Sequence, residues 1–112
     1  MFNLLIVDDE RIVIDGLKDF VDWNGLGFDV VADAESAREA LEVIDSKRVD
    51  VVLTDIVMPD MNGLQLIREL KKLDRNLKVV ILSGYGEFEY AKEAIRLGAF
   101  DFLMKPVNFV EL

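Results

Sequence analysis

Five short apolar runs are separated by four stretches of helical spacing, and that alternation constrains the fold more than any other feature. The runs are Leu4–Val7, Phe28–Ala32, Val49–Leu53, Lys78–Leu82 and Phe100–Met104, all rich in Val, Ile and Leu. Near-continuous runs of this length suit strands covered on both faces, as in parallel sheets. Between them Val13, Leu17, Phe20 and Val21 share one helical face, and Ala37, Ala40, Leu41 and Ile44 share a second. Leu66, Ile67, Leu70 and Leu73 form a third stripe, and Ala91, Ala94 and Ile95 with Gly98 a fourth. Gly25 and Gly27 follow the first helix, Asn62-Gly63 precedes the third, and Gly98 lies just past the fourth. The pattern reads as (βα)4β, an α/β fold with a parallel sheet, right-handed crossovers and helices on both faces. A fifth helix is expected to begin after Asn108, so residues 1–112 read as one domain that stops within that helix's first turn.

Composition narrows the chemistry. The chain has no Cys and no His, which removes thiol chemistry, the usual general base and most zinc sites. Thirteen bases against 22 acids give a net charge of −9, so this segment should not itself bind nucleic acid. No apolar run approaches the ~18 residues of a membrane span, and with no basic, apolar, small-residue leader pattern secretion is not expected. The cytoplasm is the expected compartment, and a bound cation or a basic partner surface suits the charge.

In open α/β sheets ligands bind beyond the carboxyl ends of the strands, where the strand order reverses. The residues closing the strands are therefore the ones to read. Strand 1 ends in Asp8, Asp9 and Glu10; strand 3 ends "VVLTD" at Asp55; strand 4 ends "VVILSG" at Ser83 and Gly84; strand 5 ends "FLMKP" at Lys105. With strand order 2-1-3-4-5, strands 1 and 3 are neighbours ~4.8 Å apart, and Asp8, Asp9 and Asp55 converge. Carboxylates that close need positive compensation. Lys105 supplies one charge, and a hard, oxygen-seeking cation such as Mg²⁺ supplies the rest. Such a site suits phosphoryl transfer to Asp55 as nucleophile, with Lys105 and Ser83 contacting the transferring oxygens. Each residue also has a plain reading. Acids after strand 1 complement a helix N-terminus, the part expected of Glu10. Asp55 can cap a loop, and a lone lysine is most often solvated.

"LLIVDDE", "VVLTDIVMPDMNG" and "VVILSGYGEFEYAKEAIRLGAFDFLMKPV", in this order, resemble the receiver domain of two-component response regulators over essentially the whole chain. The tract from Ser83 to Pro106, with "VDWNGLGF" earlier, is most similar to receivers that precede AraC-type helix-turn-helix output domains. The resemblance implies a flavodoxin-like (βα)5 fold with its last helix truncated. It implies that Asp55 accepts phosphate from a sensor histidine kinase, and that Asp8, Asp9 and Asp55 bind Mg²⁺ with the backbone carbonyl of Val57. It also implies that Ser83 and Lys105 contact the phosphoryl group, and that Ser83 with Phe102 forms the switch. The implied partners are the kinase, a C-terminal DNA-binding output domain absent from these residues, and a second copy docked on the strand 4–helix 4–strand 5 face. Tyr90, Lys92, Arg96 and Phe102 belong to that face. The implied activity is a phosphoacceptor's self-phosphorylation and self-dephosphorylation only. Val57 and Tyr85, two residues past Asp55 and Ser83, carry no acid or amide to orient water, and slow self-dephosphorylation is expected.

Three other functions compete. An aspartate-nucleophile phosphatase usually places a second acid two residues past the nucleophile, where this chain has Val57. A flavodoxin-like cofactor carrier needs a phosphate-cradling loop that the sequence does not show. A pseudo-receiver binds partners without chemistry, and the intact Asp8, Asp9, Asp55, Ser83 and Lys105 argue against it.

Overall fold

The structure is a computed structural model that describes residues 1–55, 63–73, 77–83, 88–98 and 101–104. Side chains are described at the same positions except 63, 83, 88–91, 94 and 101–104. The elements are β1 (Phe2–Val7), α1 (Arg11–Phe20), β2 (Phe28–Ala34), α2 (Ala37–Ser46), β3 (Val51–Asp55), α3 (Gly63–Lys72), β4 (Lys78–Ser83), α4 (Phe88–Leu97) and β5 (Asp101–Met104). A short 3-10 turn, Asn24–Leu26, stands between α1 and β2. All strand pairs are parallel and the sheet order is β2-β1-β3-β4-β5, the doubly wound arrangement the alternation predicts. The expected helix after Asn108 lies outside the described residues.

Strand pleating sorts the apolar side chains into two cores. Leu5, Val7, Val52, Val79 and Ile81 face Ala37, Ala40 and Ile44 of α2 and Leu66, Ile67 and Leu70 of α3. Leu4, Ile6, Leu53 and Leu82 point the other way, onto Ile14 and Leu17 of α1. The period of two along each strand is thus visible as two separate clusters. On the α1 side an open apolar hollow of about 290 Å³ is lined by Leu4, Trp23, Leu26, Phe28, Val51, Leu53 and Val80.

Local chemistry sets the helix ends. Ser36 at the N-cap of α2 accepts a hydrogen bond from Glu39 N–H at 3.1 Å, and the Glu39 carboxylate accepts one from Glu35 N–H at 2.8 Å. This is a capping box, shifted by one residue on its return bond. The stretch "VDWNGLGF" fastens the end of α1 to the start of β2. Trp23 Nε1 donates to Leu17 O at 2.9 Å, its ring stands edge-on to Phe28, and Phe28 N–H donates to Trp23 O. Gly27 has φ +94 where the 3-10 turn reverses into β2, and Gly98 has φ +115 after α4. Among the described residues the only close neighbour of a Cβ on Gly98 would be the flexible end of Lys71, so it is the backbone conformation that selects glycine there.

The α1 stripe differs from the sequence expectation. Ile14, Leu17 and Val21 are buried, whereas Phe20 is 73% exposed. The line through Ile14 and Leu17 leaves Phe20 off to one side at the last helical residue. Val21 is already extended and turns inward. Leu73, expected on the α3 stripe, falls just past that helix and is partly exposed.

Candidate functional site

Register places the acids. Val7 of β1 pairs with Ala34 of β2 and with Thr54 of β3, and Asp55 pairs with Leu82 of β4. Asp8 and Asp55 each come one residue after those paired positions, so they leave neighbouring strands at the same level. Ser83 pairs with Met104 of β5 at that same carboxyl edge, and Lys105 is next in sequence. Asp8 is fully buried and Asp55 is 5% exposed, whereas Asp9 and Glu10 are exposed. Buried carboxylates are rare, and two at one sheet edge mark a built site rather than a solvated tip.

The three acids after β1 divide their work. Asp8 N–H continues the sheet by donating to Ala34 O at 3.1 Å. Asp8 Oδ1 accepts from Glu10 N–H at 2.9 Å, a tight local turn. Glu10 then stands at the N-cap of α1 as expected, and its carbonyl accepts from Val13 and Ile14 N–H. Its side chain makes no capping bond. Carboxylate oxygens of Asp8, Asp9 and Glu10 lie within 4.8 Å of one another. Neither Asp9 nor Glu10 forms an ion pair among the described residues.

This donor set fits a hard divalent cation: carboxylate oxygens only, one residue buried and two open to water. Asp8, Asp9 and Asp55 were the sequence candidates, with the Val57 carbonyl; of the three acids, Asp55 does not belong to this cluster, and Asp8 and Asp9 do. Glu10 joins them because the turn at Asp8 brings its side chain back. Val57 and Lys105 lie outside the described residues, as does Tyr85. Of Ser83 and Phe102 the backbone is described, with Phe102 paired to Ile81, and the side chains are not. Among the described residues no helix is long and apolar enough to cross a membrane.

Two features beside the site were not read from the sequence. Thr54 is fully buried, and its Oγ1 donates to Asp55 O at 3.0 Å, which ties down the backbone that carries Asp55. Arg11, the first base after the acids, turns away from them. It pairs with Asp33 of β2 at 3.0 Å and with Asp15 at 3.3 Å, and Lys18 reaches the other Asp33 oxygen at 2.9 Å. This network fixes the start of α1 against the end of β2. Burial pushes the Asp33 carboxyl up, but hydrogen bonds and charge from Lys18 and Arg11 outweigh it and hold the group below its ordinary range. The bond to Asp33 raises the Arg11 guanidinium in turn.

A depressed carboxyl stabilises the fold at every pH above its unfolded value near 3.8, and that contribution is lost as pH falls through the lower folded value. Asp33→Asn is therefore expected to lower stability at pH 6 by under about 1 kcal/mol, because Lys18 and Arg11 are partly exposed and screened by water. The loss should shrink as pH falls below the ordinary carboxyl range and through the lower folded value, which urea unfolding at pH 6 and in acid checks.

Residues 4–112 match the family described as response regulator receiver domain. The chain is 42% identical over 108 residues to the transcriptional regulatory protein YesN of Bacillus subtilis, covering 96% of this chain and 29% of that protein. It is 41% identical over 112 residues to the transcriptional regulatory protein HptR of Staphylococcus aureus, covering all of this chain and 44% of that protein. The chain therefore spans less than half the length of these relatives. Among solved structures, the receiver domain of AraT from Geobacillus stearothermophilus superposes with a TM-score of 0.90 at 42% identity, covering 98% of this chain and 85% of that one. A two-component transcriptional regulator AraC from Clostridium phytofermentans gives 0.89 at 35% identity, covering 99% and 86%. Buried acids at neighbouring tips of a 2-1-3-4-5 sheet, and a family match over nearly every residue, lead to one conclusion: this chain is a response regulator receiver domain, a signalling domain rather than a conventional enzyme.

Proposed function

We propose that Asp55 is the phosphoacceptor of a signalling switch, receiving a phosphoryl group from a sensor histidine kinase. The observation that carries this reading is the pair of buried carboxylates, Asp8 and Asp55, at adjacent strand tips beside the Asp8–Asp9–Glu10 cluster. An ionised Asp55 oxygen forms a bond to phosphorus as the bond from phosphorus to the donor breaks, and the pair of electrons leaves with the donor. No base is required, since the carboxylate has no proton to lose. Asp8, Asp9 and Asp55, with the Val57 carbonyl, would hold Mg²⁺, which when bound would neutralise charge on the phosphoryl oxygens. Lys105 offsets the remaining charge, and the Ser83 hydroxyl donates to a phosphoryl oxygen. Thr54 holds the Asp55 backbone still while this happens.

The added charge draws Ser83 inward and reshapes the β4-α4-β5 face, Phe102 included. That face then engages a C-terminal DNA-binding output domain or a second copy. The relatives are transcriptional regulatory proteins, which supports an output of this kind, and the cytoplasm is the compartment where it acts. Incubation with Mg²⁺ and acetyl phosphate should add one phosphate to the intact mass, and EDTA should prevent it. An unchanged mass with Mg²⁺ present would leave a receiver-shaped interaction module without chemistry.

A further inference from the structure

The charges of this chain are unevenly divided. Residues 1–62 hold fifteen acids and five bases, whereas residues 63–112 hold seven acids and eight bases. The contrast is sharpest on two neighbouring helices: α2 carries a net charge of −2 and α3 a net charge of +2. Both helices pack on the same face of the sheet, through Ala37, Ala40 and Ile44 of α2 and Leu66, Ile67 and Leu70 of α3. Their outward positions follow from helical spacing. Glu42 lies opposite the buried Ala40 and Ile44, and Arg68 and Lys72, one turn apart, lie opposite Ile67 and Leu70.

These charges are free to act outside the domain. Arg11 and Lys18 are occupied by Asp33, and Arg48 by Asp50. By contrast Glu42, Asp45, Arg68 and Lys71 are exposed and make no ion pair among the described residues, and Lys72 has only Glu69 on its own helix. An acidic helix therefore lies beside a basic one, and such a surface is complementary to itself. A twofold axis lying in the plane of the contact and running between the helices, along their length, sets α2 of one copy parallel on α3 of the other, and does so twice. The contact is then isologous and closes at two chains. Glu42 and Asp45 of each copy then face Arg68 and Lys72 of its mate.

We propose that the α2–α3 face is a docking surface for a second copy of this chain, distinct from the β4-α4-β5 face. Sedimentation equilibrium at about 0.1 M salt, where charges beyond roughly 10 Å are screened, measures the association. Arg68→Glu with Lys72→Glu, and separately Glu42→Lys with Asp45→Lys, are each expected to weaken dimerisation by about tenfold or more. Mixing the two variants should restore it as a heterodimer, because each reversed helix then meets its opposite. All four side chains are exposed, and Trp23 fluorescence reports whether each variant is folded. If a double variant unfolds, single Arg68→Glu and Glu42→Lys chains replace it in the same mixing experiment. A wild-type chain that stays monomeric up to millimolar concentration would overturn the proposal. So would variants that dimerise as before, mixed variants that fail to associate, or a dimer that only Arg96→Glu on α4 disrupts.

Discussion

An Asp55→Asn chain is expected to take up no phosphate from acetyl phosphate, and an Asp8→Asn chain to take it up at least about a hundredfold more slowly while becoming more stable without metal. The two effects of Asp8→Asn have one cause. Asp8, Asp9 and Glu10 hold carboxylate oxygens within 4.8 Å of one another, one of them fully buried. At such separations two like charges repel by about 1 kcal/mol in water and several times that at protein-like dielectric. Asparagine keeps an oxygen to accept the Glu10 N–H bond that Asp8 Oδ1 now accepts. It removes the charge while keeping that bond. In EDTA the variant should gain about 1–2 kcal/mol, roughly 5–10 °C in Tm for a domain of this size.

Mg²⁺ should then reverse the ranking. The wild-type chain gains RT ln(1 + [L]/Kd), about 1.4 kcal/mol at ten times Kd, whereas the variant, short of one carboxylate ligand, gains little. Urea unfolding followed by Trp23 fluorescence, with and without Mg²⁺, reads both arms. Equal protection of the variant and the wild-type chain by Mg²⁺ would show that the ion does not sit on Asp8.

Leu5→Ala is expected to cost about 3–5 kcal/mol, a third or more of the stability of a typical domain. Leu5 is fully buried near the middle of β1, with Ala32 and Val52 as its neighbours in the sheet, in the core under α2 and α3. Packing on both sides prevents the strand from collapsing into the space that three lost heavy atoms would leave. Ile12→Ala removes a similar side chain from α1, where it is 78% exposed, and should change stability by no more than about 0.5 kcal/mol. The pair is checked by thermal and urea melts of the intact chain. A comparable loss from both substitutions would mean that the two-core arrangement does not carry the fold.

The site was legible in the sequence to the extent that strands announce their own ends. Asp8 and Asp55 each close an apolar run, and in a parallel sheet all carboxyl ends face one way, so knowing the strand order suffices to bring them together. Glu10 was legible as a helix start but not as part of the acid cluster. Its side-chain position depends on the turn that Asp8 makes with Glu10 N–H. Thr54 gave no signal, since a threonine in a strand is common and only burial shows that its hydroxyl serves the Asp55 backbone. Asp33 sits in "VVADAE", the least distinctive strand end, and its two cations come from α1, fifteen and more residues away in sequence.

Residue order alone determined the alternation of strand and helix, the acidic character, and the absence of cysteine and histidine chemistry. Those properties reside in single residues or in neighbours three and four apart. Tertiary structure decided which acids are buried, where Arg11 spends its charge, that Ile14 rather than Phe20 faces the core, and that oppositely charged helices lie side by side. Each of these depends on contacts between segments far apart along the chain, and their energies exist only once the sheet has brought them together.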